Sequence, residues 1–373
     1  DLNFTEATTY KVLDSVGREV NFDRMLMFIE KISQWRVPVG SFDIDLSKTI
    51  VYNKYEGARL GVGLYTNENL FDKLSIGGFF GYGTKDFDWK FGGEAIYTFS
   101  KRREIKLKAK YEDNLIEMGN HGFQYPAFGY YSSRNILASQ MDRVEKASVD
   151  FGFRAFRYFK WDFGISTARI TPKYDYTFTD NGKDYKTYRN TELTANMKFA
   201  FGEKIIGAFN QNVSLGTTYP TLYIMYARGI KDAFESDFGY NRIEAVVEQS
   251  FYTKNLGKTS YRLEGGYIDN PLPAGLLFTG EGSFDKEYPF IMKNTFQTMY
   301  PYEFLSDRYV NLFTSHNFGG LLLKTKIFQP EISIHNNFGW GDLSNQGSHS
   351  LTGYKTKNRI YSETGLQLDN IIK

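Results

Sequence analysis

The residues best suited to chemistry in this chain are four histidines, His121, His316, His335 and His349. A neutral imidazole ligates metals and acts as a general base near neutral pH. Metal and hydrolytic sites need compact ligand spacings, and no HxH, HExxH or carboxylate cluster joins these four. His316 and His335 fall in segments that read as strands, His121 and His349 in loops. Ser315 and His316 are adjacent, so a strand would turn them to opposite faces, which argues against a serine–histidine pair. The chain has no cysteine, which excludes disulfides, thiolate metal sites and cysteine nucleophiles. The run Gly81-Tyr82-Gly83-Thr84-Lys85-Asp86 lacks the spacing of a phosphate-binding loop and precedes no helical pattern. It reads as a turn or loop approach between strands, a solvated loop in the plainer view. If extracellular, its Asp86 and Asp88 near Lys85 and Lys90 carry charges suited to a divalent cation or lipopolysaccharide phosphate. No catalytic, cofactor or metal site is expected.

The elements that carry these residues are strands. In Glu104-Ile105-Lys106-Leu107-Lys108-Ala109-Lys110-Tyr111-Glu112 the apolar residues share one face and the charged ones the other. The same alternation appears at Trp89-Phe91-Gly93-Ala95-Tyr97-Phe99, Ala147-Val149-Phe151-Phe153 and Leu193-Ala195-Met197-Phe199. It recurs at Ile243-Ala245-Val247, with Arg242, Glu244 and Glu248 opposite, and at Tyr261-Leu263-Gly265-Tyr267. Many of these segments approach the ~10 residues that a tilted strand needs to cross a bilayer.

Composition points the same way. Of 373 residues, 33 are Phe, 28 Tyr and 4 Trp, 17% of the chain. So many tyrosines need sites with one apolar and one wet end, which the two interfaces around a membrane barrel supply. Mean hydropathy is −0.44, so a helical membrane protein is excluded, while a barrel with a polar lumen is not. A soluble sandwich gives the same alternation strand by strand. The ring-rich apolar faces and the pairs Gly77-Gly78 and Gly92-Gly93, which let a sheet curl, favour the barrel. A net charge of +2 gives no support to nucleic-acid binding.

Connections alternate in length. Lys101-Arg102-Arg103 and Lys254-Asn255-Leu256-Gly257-Lys258 are short, whereas Asn114 to Asp142, Asp269 to Lys286 and Gly341 to Asn358 are long. Short turns at one end and long loops at the other mark outer-membrane barrels. Residues 1–40 differ: Met25, Phe28, Ile29 and Ile32 recur at helical spacing before Pro38, which predicts a helical lead-in, periplasmic or plug-like. Residues 41–373 are expected to form the barrel. The segment Leu366-Gln367-Leu368-Asp369 reads as a strand that has barely begun, so closing strands are expected beyond Lys373.

Three blocks carry a family resemblance: Arg36-Val37-Pro38-Val39-Gly40-Ser41-Phe42-Asp43-Ile44-Asp45-Leu46, Tyr55 to Asn67 with Gly57, Gly61 and Gly63, and Gly77 to Gly93. Together they resemble the C-terminal barrel of a Bacteroidota outer-membrane family of unknown function. Its members typically carry an N-terminal carboxypeptidase-regulatory-like sandwich. That family is similar in turn to the BamA/TamA-type barrels of assembly factors and two-partner secretion transporters. The resemblance implies an all-β transmembrane antiparallel barrel of about 12–16 strands. It also implies an inward-folded loop motif at Met299, Tyr300, Pro301 and Tyr302, followed by Asp307 and Arg308. Met299-Tyr300-Pro301-Tyr302 stands where those barrels have Val-Arg-Gly-Phe/Tyr.

On this reading Lys106, Lys108, Lys110, Glu244 and Glu248 line the lumen, where charges of both signs hold a barrel together through ion pairs. The first functional expectation is a non-enzymatic barrel of the bacterial outer membrane, in envelope biogenesis or in an outer-membrane complex. Its partners would be outer-membrane lipid, lipopolysaccharide and other outer-membrane or periplasmic proteins, with no nucleic acid. A solute channel or transporter is the second expectation. An integral outer-membrane hydrolase is the third.

Overall fold

A computed structural model describes residues 35–119, 136–208, 211–287, 292–321 and 330–370. Residues 1–34 of the expected lead-in, which carry its helical spacing, lie outside these residues, as does His121. Among the described residues sixteen strands form one large antiparallel sheet. They are β1 Arg36–Val39, β2 Phe42–Asp45, β3 Ile50–Asn53, β4 Gly57–Thr66, β5 Leu74–Gly83, β6 Trp89–Ser100, β7 Ile105–Glu117 and β8 Met141–Ala155. The rest are β9 Phe159–Pro172, β10 Tyr188–Ala200, β11 Thr221–Gly229, β12 Tyr240–Thr253, β13 Gly257–Ile268, β14 Arg308–Asn317, β15 Glu331–Asp342 and β16 Tyr361–Asp369. From β4 onward each pairs with its sequence neighbours, an up-and-down meander. No helix among the described residues is long and apolar enough to cross a membrane.

The alternating pattern becomes two faces. Leu107, Tyr111, Val149, Phe151, Phe163, Ile165, Leu193, Ile243, Leu263, Val310 and Phe338 are all exposed. The strand pleat sends their polar neighbours to the other side. A sandwich would bury this apolar face against a second sheet; here it faces outward. The opposite face wraps residues 269–287 and 292–307 of the long connection between β13 and β14. That one segment touches Lys54 before β4 (Asp285, 2.5 Å), Glu117 on β7 (Tyr302, 2.8 Å) and Arg242 on β12 (Leu276 carbonyl, 3.1 Å). It also reaches Glu363 on β16 (Gln297 backbone N, 2.8 Å). One segment can reach strands from near the first to the last only if the sheet curls around it. Among the described residues β1 and β16 are the two ends of the pairing path, and no pairing joins them.

Loop lengths sort by end only in part. The short connections 101–104, 156–158 and 254–256 share one end with the longer 201–220 and 318–330, and 118–140, 173–187, 269–307 and 343–360 lie at the other. The tight turn after β12 uses Asn255 at φ 61° and Gly257 at φ 113°. A Cβ at Gly257 would meet the Asn317 carbonyl at 2.0 Å, so only glycine fits there. The expected turn at Gly81 to Asp86 is found, since β5 ends at Gly83.

Two boundaries differ from expectation. The sheet starts at Arg36, inside the expected lead-in, with Pro38 on the end strand β1, where a missing N–H is tolerated. The last strand runs Tyr361–Asp369 and does not begin at Leu366. Leu366 and Leu368 form its outer face, both exposed, and Glu363, Gln367 and Asp369 alternate with them. β2 and β3 occupy one strand position beside β4, broken by the 3-10 turn Leu46–Lys48. Gly63 makes room for that turn, since a Cβ there would meet the Asp45 Cβ at 2.9 Å.

Candidate functional site

The interior is where structure and chemistry concentrate. Residues 272–278, Leu-Pro-Ala-Gly-Leu-Leu-Phe, dip into the long-loop end of the barrel. Leu272, Ala274, Leu276 and Leu277 are each at most 2% exposed. They pack with Met118, Val144, Ile170, Tyr176, Phe178, Tyr188, Phe238 and Tyr240 as one apolar core drawn from strands and loops. A hairpin pairing Phe278 with Ser306 and Thr279 with Leu305 carries the chain to a second cluster, Phe296, Met299, Phe304 and Phe313. Burying these side chains inside the sheet removes them from water at roughly 1.5–3 kcal/mol each.

Polar groups fix the segment. The Arg242 guanidinium, 4% exposed, donates to the Leu276 carbonyl (3.1 Å) and to Glu244 (2.8 Å). It also stacks 4.6 Å from the Phe278 ring centre. The Tyr302 hydroxyl donates to Glu117 at 2.8 Å. Lys357 reaches in from the 343–360 loop, donates to Asn311 at 2.9 Å and lies 4.8 Å from the Phe296 ring centre.

A further anchor joins three loops. The Ala274 backbone N–H donates to the Tyr176 hydroxyl at 2.8 Å. That hydroxyl lies 2.8 Å from His349 Nδ1, and while it accepts from Ala274 its own proton is still available to an unprotonated ring nitrogen. Burial holds the His349 pKa down at about 4. A histidine unfolded near 6.5 and folded near 4 contributes stability that is fully present above pH 6.5. That stability is lost as pH falls from 6.5 towards 4, on the order of 3 kcal/mol in all. The long-loop end is therefore expected to become protease-sensitive across that window, while His349→Gln, which does not titrate, shows a flat response. Equal acid sensitivity in the two proteins would contradict this.

Of the residues singled out by sequence, Met299 is fully buried and Tyr302 is 6% exposed, whereas Tyr300 is 44% exposed against Phe284. Pro301 lies between them in a turn. Asp307 and Arg308 sit apart from these, at the start of β14. Asp307 accepts the Ser344 N–H at 2.7 Å, and Arg308 pairs with Asp342 at 2.5 Å. They staple β14 to the end of β15.

Lys106, Lys108 and Lys110 share the inner face of β7. Lys108 pairs with Glu94 at 3.0 Å and Lys110 with Glu112 at 2.6 Å. Lys106 lies across from Gly152, whose missing side chain leaves room for Asp162 beyond it. Glu244 meets Arg242, and Glu248 lies 3.7 Å from Arg262. Asp86 is paired with Lys90, and Asp88 with Arg143, so built-in cations occupy the acids that suggested a divalent ion. Among the described residues no group of three metal-ligating side chains comes together. Ser315 and His316 face opposite sides as expected, and His316 bonds Thr259. Ser315 lies across from His335, whose buried Nε2 has no hydrogen-bond partner among the described residues.

Between the interior segment and the short-turn end lies a cavity of about 870 Å3. Lys198, Tyr223, Glu248, Arg262, His335 and Glu363 are among the residues lining it. Sequence reasoning missed Arg242 as the anchor and 272–278 as the plug. The available signal was an apolar run inside a long loop, a place where solvated loops carry polar residues.

One protein family, described as a family of unknown function (DUF5686), C-terminal domain, matches residues 154–358, more than half of the chain. The chain belongs to this family. The match falls on β9 to β15 and the end of β8, not on the blocks between Arg36 and Gly93 that carried the resemblance in the sequence. The DUF5686 barrel is also similar to solved structures. BamA from Haemophilus ducreyi lacking POTRA domains 1–3 aligns at a TM-score of 0.52 and 11% identity, over 89% of this chain and 64% of that one. CdiB from Escherichia coli aligns at 0.43 and 12%, over 85% and 54%. The chain thus spans less than two thirds of either protein's length. The BamA likeness shows the fold, an outer-membrane β-barrel. No curated protein matches.

Proposed function

We propose that this DUF5686 barrel is a non-enzymatic protein of the bacterial outer membrane. In this reading its lumen is closed by its own 269–307 segment, and it works in envelope biogenesis or within an outer-membrane complex. The observation that carries this is the interior packing: Leu276, Phe296, Met299 and Leu305 are at most 2% exposed inside the sheet. A pore evolved to conduct leaves its axis wet. The exposed apolar outer face supports lipid as its surroundings, and the BamA-like shape supports a role among envelope barrels. A channel or transporter is the second reading, favoured by the cavity of about 870 Å3 below the plug.

The test is membrane fractionation of the protein with gel mobility before and after heating. Outer-membrane recovery with a heat-dependent shift is expected, and the same preparation identifies co-purifying envelope proteins. A soluble protein with no heat shift would refute the membrane assignment.

A further inference from the structure

The outer wall carries a groove that the closed-lumen reading does not use. Register pairs Ala195 on β10 with Phe163 on β9 and with Tyr226 on β11. The short alanine between two rings leaves a furrow. The next outward row towards the long-loop end is Leu193, flanked by Ile165 and Arg228. Phe163, Leu193, Ala195, Tyr226, Arg228 and Asn241 line an open cavity of about 600 Å3. Phe163, Leu193 and Tyr226 are each 42–43% exposed, so the furrow's walls are apolar and outward-facing.

At its upper end stands Arg228, the penultimate residue of β11. Its guanidinium donates to Asn241 Oδ1 at 2.8 Å, and the Tyr226 hydroxyl donates to the same oxygen at 2.7 Å. The Asn241 amide in turn donates to Asp269 at 2.5 Å. This network aims the arginine and leaves most of its five donors unused. Other arginines on the same outer rim have carboxylates at hand: Arg143 with Asp113 (2.8 Å), Arg169 with Glu145 (3.8 Å) and Arg189 with Glu235 (2.5 Å). Among the described residues, no carboxylate lies within salt-bridge distance of Arg228. An exposed cation at the edge of an apolar surface is placed to attract anionic headgroups, and a guanidinium matches phosphate oxygens two at a time.

We propose that this groove binds an anionic, phosphate-bearing membrane lipid, with Arg228 on the phosphate and an acyl chain between Phe163 and Tyr226. The proposal rests on the outer-membrane reading above. Trp161 lies in the same outward row and stacks on Phe163 at 5.8 Å, which provides a reporter.

The experiment uses the full chain with Trp35, Trp89 and Trp340 changed to Phe, inserted in phosphatidylcholine vesicles. Brominated phosphatidylglycerol or brominated phosphatidylcholine is then added at matched mole fractions. The anionic lipid is expected to quench Trp161 with about fivefold higher relative affinity. Arg228→Ala is expected to bring the ratio to one, and Ala195→Phe, which fills the furrow, to lower it. Equal quenching in the parent protein overturns the proposal, as does a preference that survives Arg228→Ala. A preference untouched by Ala195→Phe in a heat-modifiable, folded variant overturns the acyl-chain groove. No quenching by either lipid means that the barrel is not inserted, which overturns the membrane reading and this site with it.

Discussion

Arg242→Ala is expected to destabilise the folded barrel by about 3–5 kcal/mol, the usual cost of removing one partner from a buried ion pair. Arg242 is 4% exposed and serves three groups at once: Glu244 at 2.8 Å, the Leu276 carbonyl at 3.1 Å and the Phe278 ring. Truncation leaves a carboxylate uncompensated on the inner face and a plug carbonyl without its donor. The check is urea-dependent loss of the compact, heat-modifiable form in micelles. The double variant Arg242→Ala with Glu244→Ala is expected to recover part of the loss, because the orphaned charge goes with its partner. Arg242→Lys keeps the charge but not the planar fork, so it falls between. A loss below about 1 kcal/mol for the alanine variant would show that the plug is held by apolar packing alone.

What the sequence made legible follows from geometry. A strand's period of two is strict, so Glu104 to Glu112 could be assigned to two faces without knowing what lay on either side. The sign of those faces was harder, since a sandwich and a barrel share the pattern. Aromatic content decided it in the sequence, and the exposure of Phe151, Phe163 and Leu193 decides it in the structure. The turn chemistry of Asn255 and Gly257 was likewise readable, because positive φ needs particular residues.

The interior was less legible. Leu272 to Phe278 has no period of its own, and its burial depends on Arg242, some 30 positions earlier in the chain. No local rule links a strand arginine to a loop carbonyl. Met299 and Tyr302 were reached through a resemblance and not through spacing, and Asp307 and Arg308 proved to serve a strand junction. The last strand was placed late because Gly365, with no side chain to continue the alternation, interrupts the pattern of a strand that begins at Tyr361.

The second large effect concerns the lumen. Ile268 N–H bonds the Asp307 carbonyl at 2.8 Å, and Tyr267 lies opposite Arg308. A short Gly-Ser turn can therefore replace residues 270–305 without moving β13 or β14. That deletion removes Leu272 to Phe278, Phe296 and Met299 together and joins the cavity of about 870 Å3 to the long-loop end. The most direct measurement is single-channel current across a planar bilayer, for the parent barrel and for this deletion. The closed-lumen account predicts silence or brief flickers from the parent and steady open-channel current from the deletion. Steady parental current as large as that of the deletion would contradict it.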